Sequence, residues 1–463
     1  MVCSEYAPLA KTGGLADAVT GVSAALCARG HDVRVLLPKY SHLPPAGTAV
    51  KPPSGKAVKF RYLELPRLPK TPLVYLLDLP ELASGEIYTG DARDASRFVQ
   101  LAEAALLLGE TLRWQPDILH CHDWHAALVP ALQEARALSP AAPTVLTLHN
   151  IGYQGVFPTS VLAEHGYADL LGVIDAGALV GGVVNFLRAG IGNATAITTV
   201  SPTYAKEICT PEHGMGLEDL LAARRNDLTG ILNGVDYATW SPDRDPLLPE
   251  HYDARDLRPK HALKTALCAR LGLIPDQTAP LLGVVSRLVP QKGIDLLLAV
   301  IPTLLRESRA SLALLGSGEP ALTEALRALA AYHPRRVSFT QAYDETLSHH
   351  ILAGSDMVLV PSRYEPCGLT QLYALRYGTI PVVRATGGLA DTIAHFDPVT
   401  GEGNGSVFEN ADPGGLLWGT RTALQWFEEP AAWSRLIANA MSADFSWHKQ
   451  IKHYEAVYRR LLT

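Results

Sequence analysis

Arg287 and Lys292 stand five residues apart in Ser286-Arg287-Leu288-Val289-Pro290-Gln291-Lys292-Gly293, and two cations at that spacing suit an anion such as a phosphate. A β-favouring run over 281–286 precedes them and a helical pattern over 293–305 follows. Both cations therefore meet the N-terminal end of a helix, where amide N–H groups add to the attraction. A second candidate is Ser362-Arg363-Tyr364-Glu365-Pro366-Cys367-Gly368, which joins a strand at 357–360 to a short helix and then to a strand at 380–383. Gly368 lets backbone come close to a ligand, the amides of Leu369 and Thr370 at the helix start suit an anion, and Glu365 hangs its carboxylate over the same place. Taken alone, each turn also reads as an ordinary connection carrying solvated charges. Ligands of open α/β sheets bind beyond the carboxyl ends of the strands, which is where both turns fall.

The first half of the chain has polar strand ends of another kind. Asp117-Ile118-Leu119-His120-Cys121-His122-Asp123-Trp124-His125 closes a strand on side chains with metal-ligand chemistry, but successive strand residues point to opposite faces, so this cluster is not expected to converge on one ion. It reads better as a strand end from which Asp123 and Trp124 project, a carboxylate beside an aromatic platform suited to a sugar. A strand at 144–148 ends in His149-Asn150-Ile151-Gly152-Tyr153-Gln154-Gly155, and two polar-tipped strands side by side favour a site over a lone strand-end histidine. Asp243-Arg244-Asp245 has a D-x-D spacing that binds metal in some sugar transferases, yet its Pro-rich setting reads as a solvated loop.

The elements that must position these residues alternate in two rounds. Strand, Gly-rich turn, helix to about residue 29 and strand at 33–37 open a doubly wound sheet, without the G-x-G-x-x-G of a dinucleotide site. Further strands are expected at 58–63, 73–77 and 196–200, a long helix at 92–112, and a helix capped by Ser201 with Pro202 in its first turn. Past Asn233-Gly234-Val235-Asp236 the texture turns Pro-rich, which marks a boundary near residue 237. The second round gives strands at 281–286, 311–315, 337–339, 357–360 and 380–383, with helices at 293–305 and 320–331 between them. The expected domains are 1–237, 238–445 and a last helix over 446–463 that packs across both. Thr12-Gly13-Gly14-Leu15-Ala16-Asp17 recurs as Thr386-Gly387-Gly388-Leu389-Ala390-Asp391, each copy between a strand and a helix, as two related sheets would have it.

With 463 residues, 48% of them hydrophobic and 19% charged, the chain has the composition of a multidomain α/β enzyme. A net charge of −6 provides no basic field for nucleic acid or acidic lipid, so any anion must be gripped locally. Six scattered cysteines without C-x-x-C spacing suit a reducing cytoplasm, and no apolar run is long enough to cross a bilayer.

K-T-G-G-L-A-D at 11–17, H-D-W-H at 122–125, H-N-I-G-Y-Q-G at 149–155, L-N-G-V-D at 232–236, S-R-L-x-x-Q-K-G at 286–293, P-S-R-Y-E-P-C-G-L-T-Q-L-Y at 361–373 and T-G-G-L-A-D at 386–391 together resemble the bacterial glycogen synthase and plant starch synthase family, in its order and over nearly the whole chain. The resemblance implies the glycosyltransferase-B architecture, two doubly wound Rossmann-like α/β domains facing each other across a cleft. It implies ADP-glucose as donor, an α-1,4-glucan as acceptor lengthened at its non-reducing end, retained configuration, and neither metal nor other cofactor. Matching positions would place Lys11, Gly13, Gly14 and Asp17 on the donor or its closing domain, Arg287 and Lys292 on the diphosphate, and Tyr343 near the adenine. Glu365 would face the transferred glucose beside Cys367 and Gly368, the Leu369 and Thr370 amides would hold phosphate, and His149 would lie beside the anomeric centre. Tyr88, Asp123, Trp124, Asn150 and Asn233 would meet the acceptor or the sugar. One departure stands out: many retaining transferases of this fold have a second Glu eight residues after the first, and here that position is Tyr373.

Without an evident base-activated nucleophile, front-face transfer within an ion pair is expected rather than a double displacement. Rival readings are a UDP-glucose-dependent transferase or an epimerase on the same fold, and a non-catalytic glucan-binding homologue. The residues alone do not choose the nucleotide base, the oligomeric state, the chain-length preference or the regulation. Only Met1 and Val2 precede Cys3, where the resembling family has several apolar residues completing the first strand, so the natural start is expected upstream of Met1.

Overall fold

The computed structural model of the chain describes residues 1–463 apart from 44–46, 52–58, 68, 70, 83–84 and 139–140. It divides into two units, Met1–Gly234 with Trp447–Thr463, and Val235–Ser446. The strands in chain order are β1 (Arg34–Pro38), β2 (Thr48–Ala49), β3 (Arg61–Glu64), β4 (Leu73–Asp78), β5 (Leu119–His122), β6 (Thr144–Leu148), β7 (Val156–Pro158), β8 (Val183–Asn185), β9 (Ala196–Thr199) and β10 (Leu228–Gly230) in the first unit. The second has β11 (Leu281–Val285), β12 (Ser311–Leu315), β13 (Val337–Thr340), β14 (Met357–Val360), β15 (Ile380–Arg384) and β16 (Ser406–Phe408). The start of the strand expected at 58–63 lies outside the described residues.

In the first unit β2-β3-β4-β1 and β10-β9-β6-β5 form two four-stranded stretches. The opening residues join them: Val2 pairs in parallel with Leu36 and with Cys121, through bonds from Val2 N to His120 O (2.8 Å) and from Leu36 N to Met1 O (2.8 Å). Every residue of β6 is buried, as befits a parallel strand covered on both faces, where β-branched and leucine side chains pack without a polar side. Helix Ala92–Leu112 starts on Asp91, whose carboxylate accepts from Arg93 N, and ends on Arg113 in the left-handed region (φ 51°). Helix Pro202–Glu207 has Ser201 as its cap, accepting from Tyr204 N. The last helix, Trp447–Leu462, packs Trp447, Ile451, Tyr454 and Val457 with Val22, Leu26, Val145, Ala196 and Ile231 of the first unit, and its Glu455 pairs with Arg29 at 2.5 Å.

The second unit is a six-stranded parallel sheet in the order β13-β12-β11-β14-β15-β16. Numbered within the unit that is 3-2-1-4-5-6, the Rossmann order, and the direction of winding reverses between β11 and β14. Such a reversal leaves a crevice outside the carboxyl ends of the two strands, because the connections leave to opposite sides. Among the described residues no helix is long and apolar enough to cross a membrane.

The solvated-loop reading of Asp243-Arg244-Asp245 needs correction. Asp245 is fully buried (0% exposed), and its carboxylate accepts from His349 Nδ1 (2.6 Å), Tyr377 Oη and Leu247 N (2.9 Å). Beside it Trp240 stacks on His349 (3.6 Å) and on Tyr373 (3.9 Å), so the position that lacks the second Glu is occupied by a packing aromatic. The D-x-D spacing serves as a polar clamp fastening the 240s to the second sheet's helices. Its two acids differ in burial, and an acid buried with several donors cannot be removed without leaving them unpaired. Asp245→Ala is expected to destabilise the second unit by about 3–5 kcal/mol, and Asp243→Ala by about 1 kcal/mol or less. Chemical denaturation of the two variants checks the contrast.

Candidate active site

The reversal between β11 and β14 brings the two cation- and carboxylate-bearing turns together. The turn after β11 carries Arg287 and Lys292, and the turn after β14 carries Ser362 to Gly368. They interlock: Arg363 N donates to Gln291 O (2.8 Å), Gln291 Nε2 donates to Tyr364 O (3.2 Å), and the Arg363 side chain pairs with Asp295 at 2.6 Å. Gly293 has φ +65°, and a Cβ there would stand 2.1 Å from Pro361 O, so only glycine allows this approach. Lys292 Nζ then lies 2.5 Å from Glu365 Oε2, which also accepts from Ser362 Oγ (2.8 Å), and Glu365 is 5% exposed. A cation, a carboxylate and a hydroxyl from two turns are thus locked at one point of the sheet edge.

The second T-G-G-L-A-D copy supports that point from below. Gly388 N donates to Glu365 O (3.0 Å), and a Cβ on Gly387 or Gly388 would lie 2.0 Å from Glu365 O or 2.1 Å from Cys367 O. Gln371 Nε2 donates to the carbonyls of Cys367 (2.9 Å) and Gly368 (3.0 Å), holding Gly368 at φ +74° ahead of helix Thr370–Arg376 with Leu369 as its cap. Cys367 is buried, so the part it offers a ligand is backbone. Tyr343 follows β13 and is 68% exposed.

The first unit gathers its candidates around Glu5, a residue that sequence reasoning passed over. Its carboxylate accepts from Thr12 N (2.7 Å), Thr12 Oγ1 (2.7 Å), Gly13 N (3.1 Å) and Tyr88 Oη (2.6 Å). The first Gly-rich turn is therefore shaped by an anion within the protein. Lys11 pairs with Asp17 at 2.8 Å, helix Gly14–Ala28 starts just past Gly13, and a Cβ on Gly13 would meet nothing within 4 Å. The signal for Glu5 was present in the sequence as an acid at the end of an apolar opening run.

Tyr88 stacks on His125 (4.8 Å), which connects this group to the ends of β5 and β6. Asp123, at φ 54°, accepts from His149 N (2.6 Å) and Asn150 N (3.4 Å), and burial pushes its carboxyl up to about 7. Burial likewise lowers His149 to about 3, so its imidazole is neutral at physiological pH. His122 Nδ1 lies 3.1 Å from His149 Nε2, while His122 Nε2 is buried without a partner. One of these two nitrogens donates and the other accepts, so the contact holds the two imidazoles against each other.

Two expectations about this strand end change. His120 and His122 are two apart and share a face, their rings 4.2 Å from each other, so alternation separates only Cys121 from them. His120 is committed to Tyr458 Oη (2.7 Å) and Thr147 Oγ1 (2.6 Å), and among the described residues no group of three or more His, Cys, Asp or Glu could hold a metal ion. Trp124 is not an exposed platform. It is 8% exposed, packed against Phe98, His125, Phe157 and Phe186, and a Cβ on Gly155 would lie 2.3 Å from its ring. Asn150 closes its own turn by accepting from Gly152 N (2.9 Å), and buried Asn233 has an unpartnered Oδ1. Among the described residues, no hydrogen bond joins Asn233 to the other candidates.

Residues 1–223 match the starch synthase catalytic domain and residues 273–438 match the glycosyl transferases group 1 family. Glycogen synthases of Anaeromyxobacter dehalogenans (strain 2CP-C) and Cellvibrio japonicus (strain Ueda107) are each 43% identical, covering 99% of this chain and 98% of their own. The catalytic domain of starch synthase IV from Arabidopsis thaliana, solved with ADP and acarbose, has a TM-score of 0.90 at 35% identity, covering 100% of this chain and 98% of that one. Sucrose-phosphate synthase from Thermosynechococcus elongatus shares the fold alone, with a TM-score of 0.62 at 18% identity over 97% of this chain and 94% of that one. With its switch-point turns, its two Rossmann-like units and full-length relatives at this identity, the chain belongs to the glycogen synthase and starch synthase family of glycosyltransferases.

Proposed function

We propose that the protein transfers glucose from ADP-glucose to the non-reducing end of an α-1,4-glucan with retention of configuration. The observation that carries this reading is the Lys292–Glu365–Ser362 cluster at the winding reversal of the second sheet, with Arg287 in the same turn as Lys292, in a chain 35% identical to a starch synthase solved with ADP and acarbose. In this reading the second unit holds the nucleotide sugar, with Tyr343 near the base and the Gly368, Leu369 and Thr370 backbone on phosphate. The first unit supplies Lys11, Gly13, Gly14 and Asp17 to the donor and Tyr88, Asp123, His149 and Asn150 to the sugars.

Breaking the bond from glucose to a diphosphate builds negative charge on the leaving oxygens and oxocarbenium character on the sugar. Arg287 and Lys292 answer the first, and because Lys292 is held in place by Glu365, its cation needs little reorganisation as charge develops. Glu365 answers the second as a fixed anion. His149 is neutral, and its Nδ1, the ring nitrogen not engaged by His122, offers a sugar a hydrogen bond without adding charge where a cation forms. The departing phosphate takes the acceptor's proton, and no enzyme nucleophile intervenes.

A donor panel tests the reading most directly: glycogen-dependent release of ADP from ADP-glucose should exceed release of UDP from UDP-glucose, and the reverse order would refute the donor assignment. Lys292→Ala and Arg287→Ala are each expected to lower kcat by at least about a hundredfold with glycogen saturating; wild-type turnover in either would remove the phosphate clamp. Activity should persist in excess EDTA, since two cations and backbone amides act on the diphosphate where other transferases use a metal. Loss restored by Mg²⁺ or Mn²⁺ would contradict that. His149→Ala should lower the level of kcat/KM while leaving its pH dependence between pH 5 and 8 unchanged, because a histidine lowered to about 3 does not titrate in that window.

A further inference from the structure

An aromatic platform lies away from the switch point, at the outer edge of the second sheet. Past the carboxyl end of β16 there is a cavity of about 360 Å³ whose lining includes Glu409, Asn410, Gly414, Gly415 and Trp418. Trp418, on helix Pro413–Phe427, is 52% exposed. One side of its ring system stacks on His395 (centroids 5.4 Å apart, planes 16° from parallel), and His395 is itself fixed by accepting Val407 N at Nδ1 (3.1 Å) and by its edge-on contact with Trp426 (5.2 Å). The indole is therefore backed by a fixed ring while about half of the residue stays exposed (52%). Glu409 and Asn410 are exposed beside it, and Gly414 and Gly415 leave the helix start without side chains. A Cβ at Gly415 would lie 2.5 Å from Asn410 O, so that the loop and helix backbones touch.

We propose that Trp418, Glu409 and Asn410 form a second glucan-binding site, separate from the Lys292–Glu365 cluster, which takes the body of the acceptor polymer. The apolar face of a glucosyl ring covers an indole, and its rim of hydroxyls needs a carboxylate and an amide close by; that combination of an aromatic body and a few placed polar groups is what lines this cavity. The lining has no Lys or Arg and does have a carboxylate, which disfavours the nucleotide sugar and other anions. Nor is it a broad apolar face of the kind that seats another protein: of its apolar lining residues Phe408 is buried and Val407 half-buried, which leaves Trp418 as the exposed aromatic beside Glu409 and Asn410. A polymer that ends in the transfer site has most of its length elsewhere, and a second weak contact on the same molecule raises the local concentration of chain ends. The inference rests on the glucan-elongating reading above.

The experiment compares wild type, Trp418→Ala and Trp418→Phe in two assays: retardation in native gels containing glycogen, and transfer kinetics with glycogen and with a short malto-oligosaccharide. Trp418→Ala is expected to weaken retardation and raise the KM for glycogen by about fivefold, the scale of one aromatic stacking contact. Its kcat and its KM for the short acceptor should stay at wild-type values, and Trp418→Phe should recover most of the retardation. Unchanged retardation in Trp418→Ala overturns the proposal, as does a parallel loss of activity on the short acceptor, which would make Trp418 a support of the transfer site. Concentration-dependent self-association that Trp418→Ala abolishes, with retardation unchanged, would reassign the surface to protein contact and equally overturn it. A protein that transfers no glucose to either acceptor, yet whose glycogen retardation depends on Trp418, would refute the transfer reading and leave this site standing.

Discussion

The contact between Lys292 and Glu365 organises the second unit. The two residues come from turns 73 positions apart, and each of their charges is largely removed from water. An ammonium or a carboxylate buried alone at this edge would be strongly unfavourable, so each holds the other in place. The backbone bond from Arg363 N to Gln291 O and the bond from the Gln291 side-chain amide to Tyr364 O set the spacing, and glycines at 293, 387 and 388 allow three backbones to meet where no side chain could fit. The result is a cation fixed before any ligand arrives, which is the condition for electrostatic stabilisation of a leaving group without reorganisation.

The first unit applies the same logic with the opposite sign. Glu5 is a buried anion satisfied by two amides and two hydroxyls, and in satisfying it the K-T-G-G turn acquires its shape. Beyond it lies a group of histidines that burial keeps neutral, His122, His125 and His149 among them. Neutral imidazoles at the ends of β5 and β6 provide directional hydrogen bonding without field, which suits sugar hydroxyls better than phosphate. Asp123, pushed up by burial and anchored on the His149 and Asn150 amides, is a structural partner of this group as much as a candidate sugar contact.

Polar residues far from either turn show how chemistry-like spacing can be spent on architecture. Asp245, His349 and Tyr377 resemble a catalytic relay in composition, yet all three are buried, His349 against Trp240, and what they do is hold a Pro-rich segment to the sheet's helices. Tyr373 belongs to the same packing group, which gives a physical role to the position where other retaining transferases place a carboxylate.

Much of this was legible in the residues themselves. Short β-favouring runs marked β6, β12 and β14 at their observed limits, and the periodic stretches at 92–112 and 447–462 are the helices seen, because burial on one or both faces writes itself into the order of apolar residues. The family and its two Rossmann-like units followed from motifs whose glycines and charges are local requirements of turns. Strand order was not legible: that β11 and β14 are neighbours, and hence that Lys292 meets Glu365, depends on which way the helices cross, a choice no local pattern records. Nor was burial of polar groups. Trp124 and Asp245 look from the sequence like an exposed platform and a solvated acid, and only the packing of Phe98, Phe157 and Phe186 around one, and of His349 and Tyr377 around the other, places both inside. Sequence determined what each turn could bind, because donors, acceptors and charges belong to residues; tertiary structure decided which turns share a site, because proximity belongs to the fold.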